Sequence, residues 1–300
     1  MRASLVAIAA AVITLAACSA NDNGGAVGGG ATPTGPTGPA GALRSQLPAA
    51  IAGRGVLRVV GAVGRAPLLF YGTGTTTPEG IEWDLMQEIG RQLGVSVTLT
   101  NLPITQLGAA VVDGRADMFM SGFVDLKAFE ADGIDFVDYF TGSTGVLVTL
   151  ANPKRIGGPG DLCGRQVGVM AGTAQQVAAL QLDAACKAAG RPPLGLVADA
   201  DHGAVLDSLV SGRFDAVLDD EVVAEYTAQE STGAGTVEVV GSPVDPMPYG
   251  IGVDHNDPQL VTAVQAALRA IIADGEYDQA LARWGGTIAA LRTASINAGR

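Results

Sequence analysis

From Val56 onward, apolar residues arrive in two alternating rhythms. Short runs bounded by glycine, proline or a charge read as strands: Val56-Leu57-Arg58-Val59-Val60, Val95–Leu99 and Ala116–Met120. Between them the apolar positions fall every three to four residues. This predicts helices over Glu79–Leu93, stopped at Gly94, and over Thr105–Asp113, stopped at Gly114. A second such series begins after Pro153. Strands are predicted at Gln166–Met170, Leu194–Val197 and Asp215–Leu218, and helices at Ala174–Ala189, Gly203–Val210 and Glu221–Glu230. The chain closes on a strand near Tyr249–Val253 and helices at Pro258–Ala273 and Glu276–Trp284.

Strand–helix alternation predicts mostly parallel sheets. The two series share a phrase, Val112-Asp113-Gly114-Arg115-Ala116-Asp117 and Val210-Ser211-Gly212-Arg213-Phe214-Asp215, so two lobes of like design are expected. The first lobe takes residues 46–143 plus 249–287 and the second takes 144–248, with a tail over 288–300. Two crossings between them are expected, at Gly145–Leu150 and Val244–Tyr249. A cleft then faces the strands' C-terminal ends, where ligands prefer to sit and around which hinges close.

The N-terminus follows neither rhythm. After Met1-Arg2, the apolar run from Leu5 to Ala17 is shorter than the ~20 residues of a spanning helix. Such a start describes an export signal over residues 1–17. The run ends Leu15-Ala16-Ala17-Cys18, the pattern by which bacterial lipoproteins are recognised, with Cys18 the lipidated residue. An ordinary cleavage site with an incidental Cys18 is the plainer reading. Residues 19–42 are Gly, Ala, Pro, Thr, Ser and Asn with one acid and one valine, so a tether over 18–45 is expected. Two acyl chains on Cys18 anchor firmly where one does not.

Net charge is −12, which argues against nucleic acid and against adhesion to acidic headgroups. With Cys18 lipidated, Cys163 and Cys186 remain as an even pair outside the cytoplasm, and a disulfide between them is expected; two buried thiols are the alternative. His202 and His255 lack ligand spacing, so no metal and no cofactor is expected. Gly-x-Ser-x-Gly, Gly-x-x-x-x-Gly-Lys-Ser/Thr and His/Glu metal motifs do not occur, so no catalytic residue is expected.

Eight pieces then fall in a familiar order: Gly55–Val59, Gly80-Ile81-Glu82-Trp83-Asp84-Leu85, Asp117–Gly122, Ile134–Phe140, Val167–Thr173, Asp215–Asp220, Tyr249-Gly250-Ile251, and Asp274-Gly275-Glu276-Tyr277 with Trp284-Gly285. In this order and spacing, over about residues 50–287, the chain resembles the family 3 solute-binding proteins, which bind polar amino acids for ABC importers. The resemblance implies two α/β lobes around a cleft. It also implies an Arg on the ligand carboxylate, with a Thr hydroxyl and backbone N–H groups assisting, and Asp residues on the ammonium. Where the family has Ser-Gly-x-Thr-x-Thr-x-x-Arg, this chain has Ser121-Gly122-Phe123-Val124-Asp125-Leu126-Lys127-Ala128-Phe129. Both hydroxyls are gone, and the Arg becomes Phe129, or Glu130 if one residue is inserted. The early acid and aromatic before Pro67 appear as Ala62 and Arg65.

The candidate ligand-binding residues are therefore Arg65, Ser121, Gly122, Asp125, Thr173, Asp219 and Asp220. Arg65 or Lys127 would supply the lost charge, though a solvated surface Arg65 is the plainer reading. The acids Asp125, Asp219 and Asp220 favour a cation. Asp220 also fits an N-cap. Thr173, with Gln176 three residues on, fits a capping box at a helix end that offers N–H groups. Gly122 suits a close backbone approach or a plain turn. Trp83 and Trp284 read as core, while Tyr139 and Tyr249 either line the cleft or pack the hinge. The expected function is a lipid-anchored, monomeric subunit that captures a small polar solute, amino acid or amine-like, for an ABC permease. It would act at the outer face of the cell membrane. A lipid-anchored sensor and a dehydratase-type enzyme on the same fold are the alternatives.

Overall fold

The structure, a computed structural model, describes residues 40–231 and 236–299. Cys18, the signal segment and most of the tether lie outside the described residues. The first elements are α1 (Ala49–Arg54), β1 (Val56–Gly61), β2 (Phe70–Tyr71), β3 (Pro78–Glu79), α2 (Ile81–Leu93), β4 (Ser96–Asn101), α3 (Leu107–Val112), β5 (Met118–Phe119) and α4 (Lys127–Ala131). Then come the long strand β6 (Ile134–Thr149), β7 (Gln166–Met170), α5 (Ala174–Ala188), β8 (Gly195–Asp199), α6 (His202–Val210), β9 (Ala216–Asp220) and α7 (Glu221–Ser231). The chain finishes with a second long strand, β10 (Val237–Asp254), followed by α8 (Pro258–Ala273) and α9 (Glu276–Arg283).

These strands form one eight-stranded sheet in the order β4-β1-β5-β10-β6-β9-β7-β8. Within each lobe the outer strands are parallel: β1 with β4 and β5, and β7 with β8 and β9. The paired strands β6 and β10 run antiparallel through both lobes. The Ile134 end of β6 and the Asp254 end of β10 belong to the first lobe, where Gly252 and Val253 pair with β5. Farther along, β6 pairs with β9 through Thr144–Leu147 and so belongs to the second lobe. The two crossings expected from sequence are thus the middles of two continuous strands. Their pairing register slips between Val240 and Val244 and again between Val244 and Met247. The first crossing is displaced from its expected position: Gly145–Leu150 lies inside the second lobe, and β6 changes lobes near Thr141–Thr144.

Two further boundaries move. Residues 41–46 pack on α2, where Gly41 and Leu43 donate to the carbonyls of Arg91 and Gln92, so the folded body starts earlier than residue 46. The tail is part of the first lobe, because Ala290 bridges to Phe140 and Ile296 bridges to Val137 on the side of β6 opposite its partner strand. The first lobe's core is built from the α2 stripe Leu85, Met86, Ile89 and Leu93, packed with Val264, Leu268 and Ile271 of α8. In the second lobe, Val146, Val167, Val169 and Leu218 pack with the buried Cys186. Cys163 and Cys186 form a disulfide, with Cα atoms 5.7 Å apart. Among the described residues, no helix is long and apolar enough to cross a membrane.

Candidate functional site

Strand β1 ends at Gly61, and the chain turns through Ala62–Arg65 at the edge of the cleft. Ser121, just after β5, ties this turn down: its hydroxyl oxygen accepts from the Ala62 N–H at 3.0 Å. Arg65 is carried inward rather than out to solvent and is 3% exposed. Its guanidinium meets Asp219 of the second lobe at 3.5 Å, an ion pair that crosses between the lobes. Asp219 and Asp220 end β9 and are 3% and 0% exposed. On its other oxygen Asp219 meets His202 Nε2 at 2.6 Å, at the start of α6. Asp220 does cap the next helix, since its Oδ1 accepts from the Val222 N–H at 2.9 Å, but its Oδ2 has no hydrogen-bond partner among the described residues.

Sequence reasoning passed over the acid beneath them. Glu82 is fully buried on α2 and accepts from both the Gly122 N–H and the Tyr139 hydroxyl. A signal was present: Glu82 occupies the helical stripe of Leu85, Met86 and Ile89, and an acid on an apolar stripe is kept only by a partner. Gly122 has φ +54°, in the left-handed region that favours glycine, and a Cβ there would stand 3.2 Å from Arg65 Nη1 and 3.4 Å from the Tyr249 ring. Tyr249 in turn accepts at 3.1 Å from Gln175 Nε2 of α5, in the other lobe. Tyr249 therefore reaches across the contact between the lobes from its crossing strand, whereas Tyr139, on the other crossing strand, packs against Glu82 and Gly122 of the first lobe.

Charge follows burial. Burial pushes the Glu82 carboxyl up to about 7, against the Tyr139 and Gly122 hydrogen bonds, and pushes Asp220 up to about 6, against the pull of Arg65. Burial also acts on Asp219, but His202 and Arg65 outweigh it and hold Asp219 below the usual carboxylate range. Burial opposes the charge on Arg65, yet Asp219, Tyr249, Asp220 and Glu82 raise it on balance. Four buried atoms in this cluster lack a hydrogen-bond partner among the described residues: Arg65 Nε and Nη1, Glu82 Oε2 and Asp220 Oδ2. A cleft of about 260 Å³ opens beside Arg65 and His202, walled by Ala62, Gly64, Met170 and Asp201.

Two expected residues fall elsewhere. Thr173 is the N-cap of α5, where it accepts from the Gln176 N–H at 3.4 Å while Gln176 Oε1 accepts from the Gly172 N–H at 2.8 Å. It still stands at the interlobe contact, lining a narrow slot with Gly122 and Phe123. Asp125 does not join Asp219 and Asp220. The Val124–Asp125 stretch pairs with β10 at Tyr249 and Pro248, and alternation along it sends Asp125 away from Val124's slot. Its Oδ2 accepts from the Gly299 N–H at 2.8 Å, beside Asp138, which accepts from Ser295 at 2.6 Å. Asp125 is thus buried under the C-terminal tail. Lys127 is exposed. Among the described residues, no group of three His, Cys, Asp or Glu side chains is arranged to hold a metal ion.

The family model of bacterial extracellular solute-binding proteins, family 3, matches residues 57–287. The chain belongs to that family. Over 297 residues it is 27% identical to the arginine-binding protein ArgT of Corynebacterium glutamicum, covering 98% of this chain and 95% of that one. The lysine/arginine/ornithine-binding periplasmic protein of Escherichia coli is 31% identical over 123 residues, 39% of this chain and 45% of that protein. Among solved structures, an ancestral arginine-binding protein bound to arginine superimposes with TM-score 0.69 at 28% identity, covering 77% of this chain and 98% of that one. The ancestral amino acid-binding protein AncCDT-1, a precursor of cyclohexadienyl dehydratase, has TM-score 0.69 at 26% identity, covering 78% and 97%. The two-lobed α/β fold is common to these neighbours.

Proposed function

We propose that this family member is the lipid-anchored solute-capturing subunit of an ABC importer, and that its interlobe cleft takes an amino acid or a related amine. The observation that carries the reading is the buried cluster at the lobe contact. There a cation with unused donors, Arg65, stands against acids with unused acceptors, Glu82 and Asp220. Such atoms cost free energy when unsatisfied; a zwitterion satisfies both kinds, whereas an amine satisfies the acids. The relatives named for arginine support a nitrogen-rich solute. In the proposed cycle the open lobes admit the solute, the middles of β6 and β10 flex, and the closed form docks on the permease. Binding and closure suffice, without covalent chemistry. Cys18 holds the body at the outer membrane face, and a Cys18→Ala chain is expected to take up no acyl label in cells.

The test uses the chain from residue 18 with Cys18→Ser, which retains the whole 36–300 unit. Thermal unfolding is followed with amino acids, polyamines and neutral or anionic solutes. A true solute at a hundred times its Kd should add about 2.7 kcal/mol of stability, and Asp220→Asn should abolish the gain. Stabilisation by sugars or dicarboxylates alone would refute the reading.

A further inference from the structure

A larger space lies beyond the narrow slot. It is a groove of about 520 Å³ on the first lobe, roofed at one edge by Gly172 of the second. That is the size of a pocket for a small molecule. Slot and groove share Ile104, Phe123, Phe129 and Gly172 as walls, so the groove continues the lobe contact outward. At the far end of the slot Gly122 abuts the Arg65 guanidinium.

The lining says what fits. Ile104, Ala109, Val112 and Ile134 make it apolar, and two phenylalanine rings, Phe123 and Phe129, stand with centroids 4.8 Å apart in its wall. Phe129, or Glu130 if one residue is inserted, occupies the place where the family resemblance implies a cation for a carboxylate, and neither is a cation. Among the described residues no Lys, Arg or His lines the groove, and its charged walls there are the exposed acids Asp113 and Asp132. An apolar body therefore gains by burial there. An ammonium is favoured by the acids and by the ring faces, whereas a carboxylate meets no cation within the groove and would have to reach past the slot to Arg65. Because Gly172 belongs to the other lobe, an occupant touching it is covered when the lobes meet.

We infer that the groove is the outer half of the solute site and selects an arylalkylamine, an aromatic ring joined to an ammonium without a carboxylate. The inference rests on the amine-binding reading above and narrows it. Phenethylamine, ethylamine and phenylalanine serve as probes, with arginine as the reference amino acid, titrated calorimetrically into the Cys18→Ser chain. Phenethylamine should bind at least about tenfold tighter than ethylamine, which lacks the ring, and than phenylalanine, which adds the carboxylate. Ala109 is exposed and lines the groove, so Ala109→Trp fills it and should weaken phenethylamine about tenfold or more. The probe series on the unaltered groove stands whether or not that variant folds. If arginine or ethylamine binds but phenethylamine binds no tighter, the inference fails and the amine-binding reading survives. If no amine or amino acid binds, both fall.

Discussion

Glu82 is the residue on which burial and function pull hardest against each other. In water a glutamate ionises near pH 4.5, whereas burial holds this one up to about 7, and Asp220 rises to about 6. At these two groups the folded chain binds more protons than the unfolded chain above about pH 4.5, so their contribution to stability is fully present at lower pH and is lost as pH rises through 6 and 7. The sign follows from the upward shift, the reverse of the salt-bridged Asp219. Glu82→Gln should flatten this fall, measured as urea midpoints across pH 4.5–8. An unchanged slope would place the proton uptake elsewhere, with the Asp125–Asp138 pair the next group raised by burial. This scale was only half legible in sequence. Arg65, Asp219 and Asp220 were each singled out, but their meeting depends on two lobes closing, a contact about 154 residues apart in the chain that no local spacing encodes. Asp125 misled because nearness to Ser121-Gly122 does not decide which face of an extended segment a side chain takes.

Elements were read more surely than side chains. The α8 bounds match the expected Pro258–Ala273, because Asp257 accepts from the Leu260 N–H as the N-cap, with proline in the first turn. Disagreement concentrates on β6 and β10, whose 16 and 18 residues exceed an ordinary strand. Gly241, Pro243 and Pro246 lie where the pairing register of β10 slips while the strand continues. Gly142 shows why one is needed: a Cβ there would overlap the Tyr249 ring. Gly142→Ala must displace that ring and break its hydrogen bond to Gln175. Overpacking of this kind costs about 1–3 kcal/mol. The variant should show that loss in thermal unfolding together with weaker solute binding. A stability loss with binding intact would confine Tyr249 to packing. The tail escaped notice for a different reason. Residues 290–299 have no helical or strand periodicity, and their hold comes from single contacts such as Asn297 Oδ1 accepting from the Phe136 N–H at 2.7 Å.

At the scale of the whole molecule, the Gln175–Tyr249 hydrogen bond, an apolar contact and an ion pair join the lobes, and the last two make different predictions. One is apolar: Gly172 lies against Ile104 and Thr105, close enough that a Cβ would stand 3.0 Å from Ile104. The other is the buried Arg65–Asp219 ion pair. Removing one partner of such a pair leaves an uncompensated charge and costs about 3–5 kcal/mol if the site stays closed. A hinged protein has a cheaper way out, since opening returns Asp219 to water. Arg65→Met should therefore populate an open form without solute, seen as a larger radius of gyration in X-ray scattering, rather than unfold the chain. The double variant Arg65→Met with Asp219→Asn should shift back toward the closed form, because the carboxylate that Arg65 paired is then neutral, leaving Asp220 and Glu82 as the buried acids. If Arg65→Met scatters like the parent, the uncharged contacts at Gly172 and Tyr249 set the resting state. The cluster of charges would then act only in choosing the solute.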